Sequence, residues 1–117
     1  MTHKPFTPRL RQVEPDEPVV QIKILDVERF QPEHSQYKCF KLRCCTREGE
    51  VFNTFMSMHP NAEWPRKYFA ESVGYSDFMA AIKSAKGKIC DVTLATKKLH
   101  GSTSMSIGLW IPRKELR

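Results

Sequence analysis

The sequence predicts a small mainly-β domain, five strands forming a Greek-key barrel with helices inserted between the third and fourth. Three observations carry this expectation. The stretch QYKCFKLRCCTREGEVFNTFMSM, residues 36–58, alternates with period two and reads as two strands joined by a tight turn. Before it, residues 19–30 alternate but slip by one place, as a long strand with an extra residue does. After it, two stretches with three- and four-residue periodicity precede a second pair of alternating runs.

The first strand, residues 19–30, sets Val20, Ile22 and Ile24 against Gln21 and Lys23. Asp26 then falls where an apolar residue is due and Val27 follows it, so a β-bulge near Leu25–Asp26 is expected, letting the strand bend. A polar loop, Gln31-Pro-Glu-His-Ser35, leads to the central hairpin.

In the second strand Phe40, Leu42 and Cys44 share one face, and Tyr37, Cys39, Lys41, Arg43 and Cys45 the other. A three-residue loop, Arg47-Glu48-Gly49, puts Gly49 in the left-handed position of a type I turn with a bulge. Phe40 then faces Met56, Leu42 faces Thr54 and Cys44 faces Phe52 on the core side. Lys41 faces Phe55 and Arg43 faces Asn53 on the reverse. A two-residue loop would exchange every partner of the third strand.

Asn61 is the expected N-cap of a helix over residues 63–73, with Pro65 in its first turn and Gly74 at its left-handed stop. Ser76 is expected to cap a second, short helix that runs to Ala85 and is ended by Gly87. Trp64, Tyr68 and Phe69 on the first helix, and Phe78, Met79 and Ile82 on the second, are read as core. Residues 88–97 form the fourth strand. A turn over residues 98–102 uses Gly101 for its positive φ, and residues 103–111 form the fifth strand. Met105, Ile107, Leu109 and Ile111 are expected to point inward. Trp110 alternates out of that row, either to stack on a ligand or to pack under the helices. Pro112 ends the pairing.

This order, three strands, helical insert, two strands, is that of the OB-fold, and the bulged first strand suits a barrel in which it serves both sheets. Residues 18–112 are read as one such domain. Residues 1–17, with Pro5, Pro8, Pro15, Lys4, Arg9 and Arg11, read as a flexible basic, Pro-rich arm, and residues 113–117 as a basic tail.

A length of 117 residues suits one domain with a modest core. Nineteen Lys plus Arg against thirteen Asp plus Glu leave a formal charge of +6, which favours a polyanionic partner. No stretch is long and apolar enough to span a bilayer, and the N-terminal residues lack the apolar core of a secretory signal, so a cytoplasmic setting is expected. The four cysteines, Cys39, Cys44, Cys45 and Cys90, form no C-x-x-C, and the four histidines are scattered. Free thiols in strands, no metal and no cofactor are the reading.

Catalytic signatures do not stand out. The sequence has no Gly-rich phosphate loop, no H-E-x-x-H and no G-x-S-x-G. Asp16, Glu17, Asp26, Glu28 and Glu33 could suggest a metal-dependent nuclease, but without a partner cluster they read as a solvated acidic edge. A binding protein rather than an enzyme is expected.

The segments VVQIKILDVERF, YKCFKLRCCTREGEVFNTFM, WPRKYFAESVGY and KGKICDVTLATKKLHGSTSMSIGLWIP resemble the small phage-encoded single-stranded-DNA-binding proteins with an OB-fold. The last carries most of the likeness: a Gly-Lys entering a strand, a basic hairpin tip with Gly, and a strand ending aromatic-apolar-Pro. The resemblance implies sequence-tolerant binding of single strands in phage or mobile-element DNA replication or recombination, inside a bacterial host cell. Replication or recombination proteins and further copies of the chain are the protein partners it would allow. Unlike many such binders, the chain has a basic rather than an acidic C-terminal tail.

In an OB-fold the ligand lies on strands two and three, flanked by the loops joining strands one to two and four to five. The candidates here are Lys23, Tyr37, Lys41, Arg43 and Phe55 on or beside the sheet, Lys97, Lys98 and His100 at the last hairpin, and Trp110. Aromatic rings would stack bases, and Lys and Arg would meet phosphates. RNA would serve as ligand by the same physics. The alternative is a protein-interaction module, a phage-encoded inhibitor or assembly subunit, with Phe55, Met56, Met58 and Trp110 as its contact patch.

Overall fold

The computed structural model describes residues 17–99 and 101–115. The elements run β1 (Val20–Phe30), β2 (Cys39–Thr46), β3 (Val51–Ser57), a 3-10 turn (Pro60–Ala62), α1 (Glu63–Val73), α2 (Phe78–Ser84), β4 (Ile89–Leu99) and β5 (Ser102–Trp110). The strands form one antiparallel sheet in the order β3-β2-β1-β4-β5. The mainly-β class and the place of the helices are as expected. The closed barrel is not observed: the sheet is open, with β3 and β5 at its edges. Those edges flank a groove lined also by aromatic side chains of α1 and do not pair with each other.

The central hairpin takes the three-residue loop. The Thr46 N–H donates to Glu50 O at 2.9 Å, the Gly49 N–H donates to Thr46 O at 3.0 Å, and Gly49 sits at φ 91°. A side chain at that φ is disfavoured, so the glycine fixes the loop and with it the register. Phe40 faces Met56, Leu42 faces Thr54 and Cys44 faces Phe52, with Lys41 opposite Phe55 and Arg43 opposite Asn53.

The bulge in β1 falls at Leu25. Ile24 pairs with Cys44 and Asp26 with Arg43, leaving one residue over. The four residues Val20 to Lys23 pair with β4, while pairing with β2 continues to Phe30. The bulge therefore marks where β1 parts from β4 while its pairing with β2 continues. The Gly87 N–H donates to Ile24 O at 2.7 Å, and the Ile24 N–H donates to Lys88 O at 2.9 Å, which seals the departure point.

A second irregularity, not expected, lies in β5. Thr93 faces Leu109 and Leu94 faces Ile107, so Gly108 is the extra residue. A Cβ on Gly108 would stand 2.8 Å from Thr93 Oγ1. The bulge resets the alternation. Met105 and Ile107 pack against the core as expected, but Leu109 and Ile111 do not continue the row, and Trp110 turns inward opposite Val92.

The core joins Ile22, Ile24, Phe40, Leu42, Cys44, Phe52, Met56, Cys90, Val92 and Trp110 from the sheet to Phe69, Ala70, Val73, Ala81, Ile82 and Ala85 from the helices and the turn after them. Phe69 sits at its centre, edge-on to Trp110 at 4.9 Å and to Phe78 at 5.8 Å. The helix ends differ in detail from the sequence expectation. Asn61 does not cap α1; its N–H donates to His59 Nδ1 at 2.9 Å, starting the 3-10 turn that leads into the helix. Asp77 rather than Ser76 caps α2, accepting from the Ala80 N–H at 2.9 Å. Gly74, at φ 109°, stops α1 as expected.

Arg113 latches the segment after β5 onto α1. Its Nε donates to Ser72 O at 2.8 Å, its Nη2 to Ile89 O at 2.6 Å and its backbone N–H to Glu71 O at 2.9 Å. The first residue of the expected tail is thus a structural clasp at the C-terminal end of α1, where a cation also suits the helix dipole. Among the described residues no helix is long and apolar enough to cross a membrane.

Candidate nucleic-acid interface

The two devices just described, hairpin register and β1 bulge, compose the outer face of β1, β2 and β3. Because Phe40, Leu42 and Cys44 are buried, alternation turns Cys39, Lys41, Arg43 and Cys45 outward. On β3 the same rule exposes Val51, Asn53 and Phe55. On β1 it exposes Lys23 before the bulge and Asp26 and Glu28 after it, with Phe30 next along the same face. Cross-strand pairing then sets Glu28 beside Lys41, Asp26 beside Arg43, Phe30 beside Cys39 and Lys23 beside Cys45.

An aromatic pair stands toward the Cys39 end of this face. Phe55 and Phe30 meet edge-on, centroids 5.7 Å apart and planes at 70°. Phe55 is 57% exposed, more than any other large apolar side chain among the described residues. A scattered exposed apolar residue needs no explanation. The Phe55 ring combines this exposure with an edge-type contact to a second ring and with cations in the next row.

The charge around the pair is more balanced than the sequence reading implied. Lys41 Nζ lies 3.2 Å from Glu28 Oε2, and Lys86 Nζ lies 3.9 Å from Asp26 Oδ1. Such exposed pairs are worth about 0–1 kcal/mol, so a phosphate can compete for either cation. Arg43 is exposed opposite Asn53, and the two offer a planar donor fork and an amide on the same row.

Tyr37 stands at one end of the face. Its half-buried ring meets that of His59 edge-on, at 4.7 Å and 68°. Both are held from behind. Gln31 Nε2 donates to the Ser35 and Tyr37 carbonyls, and Ser35 Oγ accepts from the Tyr37 N–H at 3.1 Å. His59 accepts from the Asn61 N–H on Nδ1, which leaves Nε2 to carry the proton of the neutral ring. Arg66 Nη1 donates to the Ser57 and His59 carbonyls, each at 2.7 Å, and ties this corner to α1.

The expected site residues therefore divide. Lys41, Arg43 and Phe55 come together, Lys23 lies further along the same face and Tyr37 at its end. Lys97 and Lys98 belong by their backbone to the β4–β5 hairpin, beyond the Ile89 to Val92 stretch that pairs with β1. His100 lies outside the described residues, as does the expected arm apart from Glu17. Trp110 is withdrawn: at 5% exposure it is core, turned in by the Gly108 bulge. Of the alternative contact patch, Phe55, Met56 and Trp110 line one groove, Met56 and Trp110 as buried residues, while Met58 is half-buried.

Three residues escaped the sequence reading. Phe30 could have been placed by carrying the alternation on past the slip at Leu25, which puts Asp26, Glu28 and Phe30 in one row. His59 was read only as the end of the sheet. Trp64 was assigned to the core and is instead 43% exposed. It lines a groove of about 460 Å³ between β3, α1 and β5, together with Phe55, Met56, Tyr68 and Ile107.

Two of the thiols, Cys44 and Cys90, are buried and chemically quiet. Burial, helped by neighbouring Cys90 and Cys45, pushes the Cys44 thiol up to about 12, and burial pushes Cys90 up to about 11. A nucleophilic cysteine needs the opposite shift. All four cysteines are free, and among the described residues no group of three His, Cys, Asp or Glu is placed to hold a metal ion. What this surface can do is stack planar groups and pair with anions. Comparison with known proteins finds no family model and no curated protein that matches the chain.

Proposed function

We propose that this protein binds single-stranded nucleic acid without sequence preference, by base stacking on the outer face of β1–β3 and phosphate contacts from its rim. The observation that carries the proposal is the exposed Phe55 ring, set edge-on to Phe30 and in register with Lys41 and Arg43. Each stacked base contributes about 1–3 kcal/mol, and every base offers a π-face, so such a surface is indifferent to sequence. The net charge of +6 supports a polyanionic ligand.

We further propose that the sheet is an OB-type barrel whose seam lies between β3 and β5. The order β3-β2-β1-β4-β5 is that barrel's circuit cut at one point, and its two ends face each other across the groove. DNA in replication or recombination of a phage or mobile element, within a bacterial cell, is the proposed setting, and it rests on the sequence resemblance. The protein acts by binding, and replication or recombination proteins are its proposed company.

The test is fluorescence anisotropy with labelled oligo-dT, a duplex of equal length and an RNA oligonucleotide, each at two salt concentrations. Oligo-dT should bind far more tightly than the duplex, with affinity falling as salt rises. Equal binding of single strand and duplex would remove the stacking mechanism. A stoichiometric protein that co-purifies and excludes the oligonucleotide would favour the interaction-module reading.

A further inference from the structure

The groove between β3, α1 and β5 adjoins the proposed binding face, and Phe55 is shared by both. Its opposite wall is Trp64 on α1, an indole 43% exposed, with no ring stacked flat upon it among the described residues: Tyr68 is 6.4 Å away and tilted by 40°. Over the indole lies Lys67 Nζ, 5.3 Å from the ring centroid, in a loose exposed pair with Glu63 at 3.8 Å. The floor is apolar, with Met56 and Trp110 beneath. A cleft of about 460 Å³ with one exposed indole, an apolar floor and an ammonium at the rim suits a planar group that carries a negative charge on one side. An unpaired nucleotide has that chemistry.

We infer that this groove is a second stacking site for the same strand, receiving a base on Trp64 with its phosphate at Lys67 once the strand has passed over Phe55. The inference rests on the proposed function above and extends it. It makes the footprint longer than the sheet face alone, and it assigns Trp64 a role distinct from that of Trp110. A second base contact of about 1–3 kcal/mol corresponds to roughly 5- to 150-fold in affinity for any oligonucleotide long enough to span both sites.

The experiment uses the full chain, its Trp64→Phe and Trp64→Ala variants, and oligo-dT of about 4 and about 12 nucleotides, the span of footprints seen for such folds. Trp110 lies in the floor of the same groove, so the Trp64→Phe protein supplies its contribution and the difference in emission between the two proteins belongs to Trp64. The longer oligonucleotide should quench Trp64, and Trp64→Ala should weaken its binding at least fivefold while leaving the shorter one nearly unaffected. Phe55→Ala should weaken both. If wild type binds and Phe55→Ala weakens it, yet Trp64 emission and Trp64→Ala affinity are unchanged, the second site is refuted and the sheet-face reading stands. If the wild type binds neither oligonucleotide, both fail. Protection of Trp64 by an extended peptide but not by oligo-dT would also overturn the inference, assigning the groove to a polypeptide.

Discussion

Replacing Phe55 separates the proposed binding from folding. More than half of the side chain is in water, so Phe55→Ala gives up less than half of the 1.5–3 kcal/mol that full burial of a phenylalanine contributes. It also gives up the edge-on contact with Phe30, worth about 0.5–1.5 kcal/mol. The expected loss of stability is therefore about 1–2 kcal/mol. Phe55→Leu keeps most of the apolar area and should cost less than about 1 kcal/mol. Binding responds differently, because neither leucine nor alanine has a π-face. Both variants should lose the roughly 1–3 kcal/mol of one stacked base, roughly 5- to 150-fold in Kd, and Phe55→Tyr should lose little. Thermal melts and anisotropy titrations on the same preparations read both quantities. The reasoning is refuted if Phe55→Leu binds as tightly as wild type, or if affinity in the series follows Tm rather than aromaticity.

Other consequences can be checked alongside. Lys41→Ala combined with Arg43→Ala should weaken oligo-dT binding, move Tm little, and lower the slope of log Kd against log salt by about 1.4, two phosphate contacts at about 0.7 each for a single strand. Arg113→Ala leaves the Ser72 and Ile89 carbonyls without their donor and should destabilise by about 1–3 kcal/mol in urea, and Arg113→Lys should recover only part because an ammonium cannot reproduce the fork. Stability should also fall in alkali. The Cys44 and Cys90 thiols keep their protons to about 12 and about 11 when folded, while unfolded thiols ionise near 9.0. Below pH 9 both states are protonated and the contribution is complete. Above it the unfolded state loses its protons first, by up to about 1.4 kcal/mol per pH unit for each thiol. Urea midpoints on either side of pH 9, for wild type and a Cys44→Ala, Cys90→Ala double variant, measure this, and the variant should show the smaller fall.

Most of the fold was legible because its deciding features are local. Gly49 fixes the loop, the loop fixes the register, and the register places Lys41, Arg43 and Phe55 together. The slip at Leu25–Asp26 is visible as a break in alternation, and it is a bulge in β1. Gly108 left no such break: alternation through residues 103–111 reads as clean, and only contact with Thr93 on the neighbouring strand shows that one residue is surplus. That surplus residue decides between the two places the sequence left open for Trp110 and packs it under α1 against Phe69. Trp64 was misplaced because helical spacing says which residues share a face but not how far up the face the sheet reaches. The ion pairs of Lys41 with Glu28 and Lys86 with Asp26 join elements whose relative placement depends on the whole sheet. The open edge between β3 and β5 is likewise a property of the assembled sheet, which the order of elements does not determine.

The central claim is that unpaired bases lie against the rings on the outer face of β1–β3. Ultraviolet crosslinking of the full chain to an oligonucleotide carrying a halogenated pyrimidine, followed by peptide mapping, tests it most directly. Adducts should map to the peptides holding Phe55, Phe30 and Tyr37, and competing unlabelled oligo-dT should abolish them. Adducts confined to β4 and β5, with the β1–β3 rings unmodified, would contradict it.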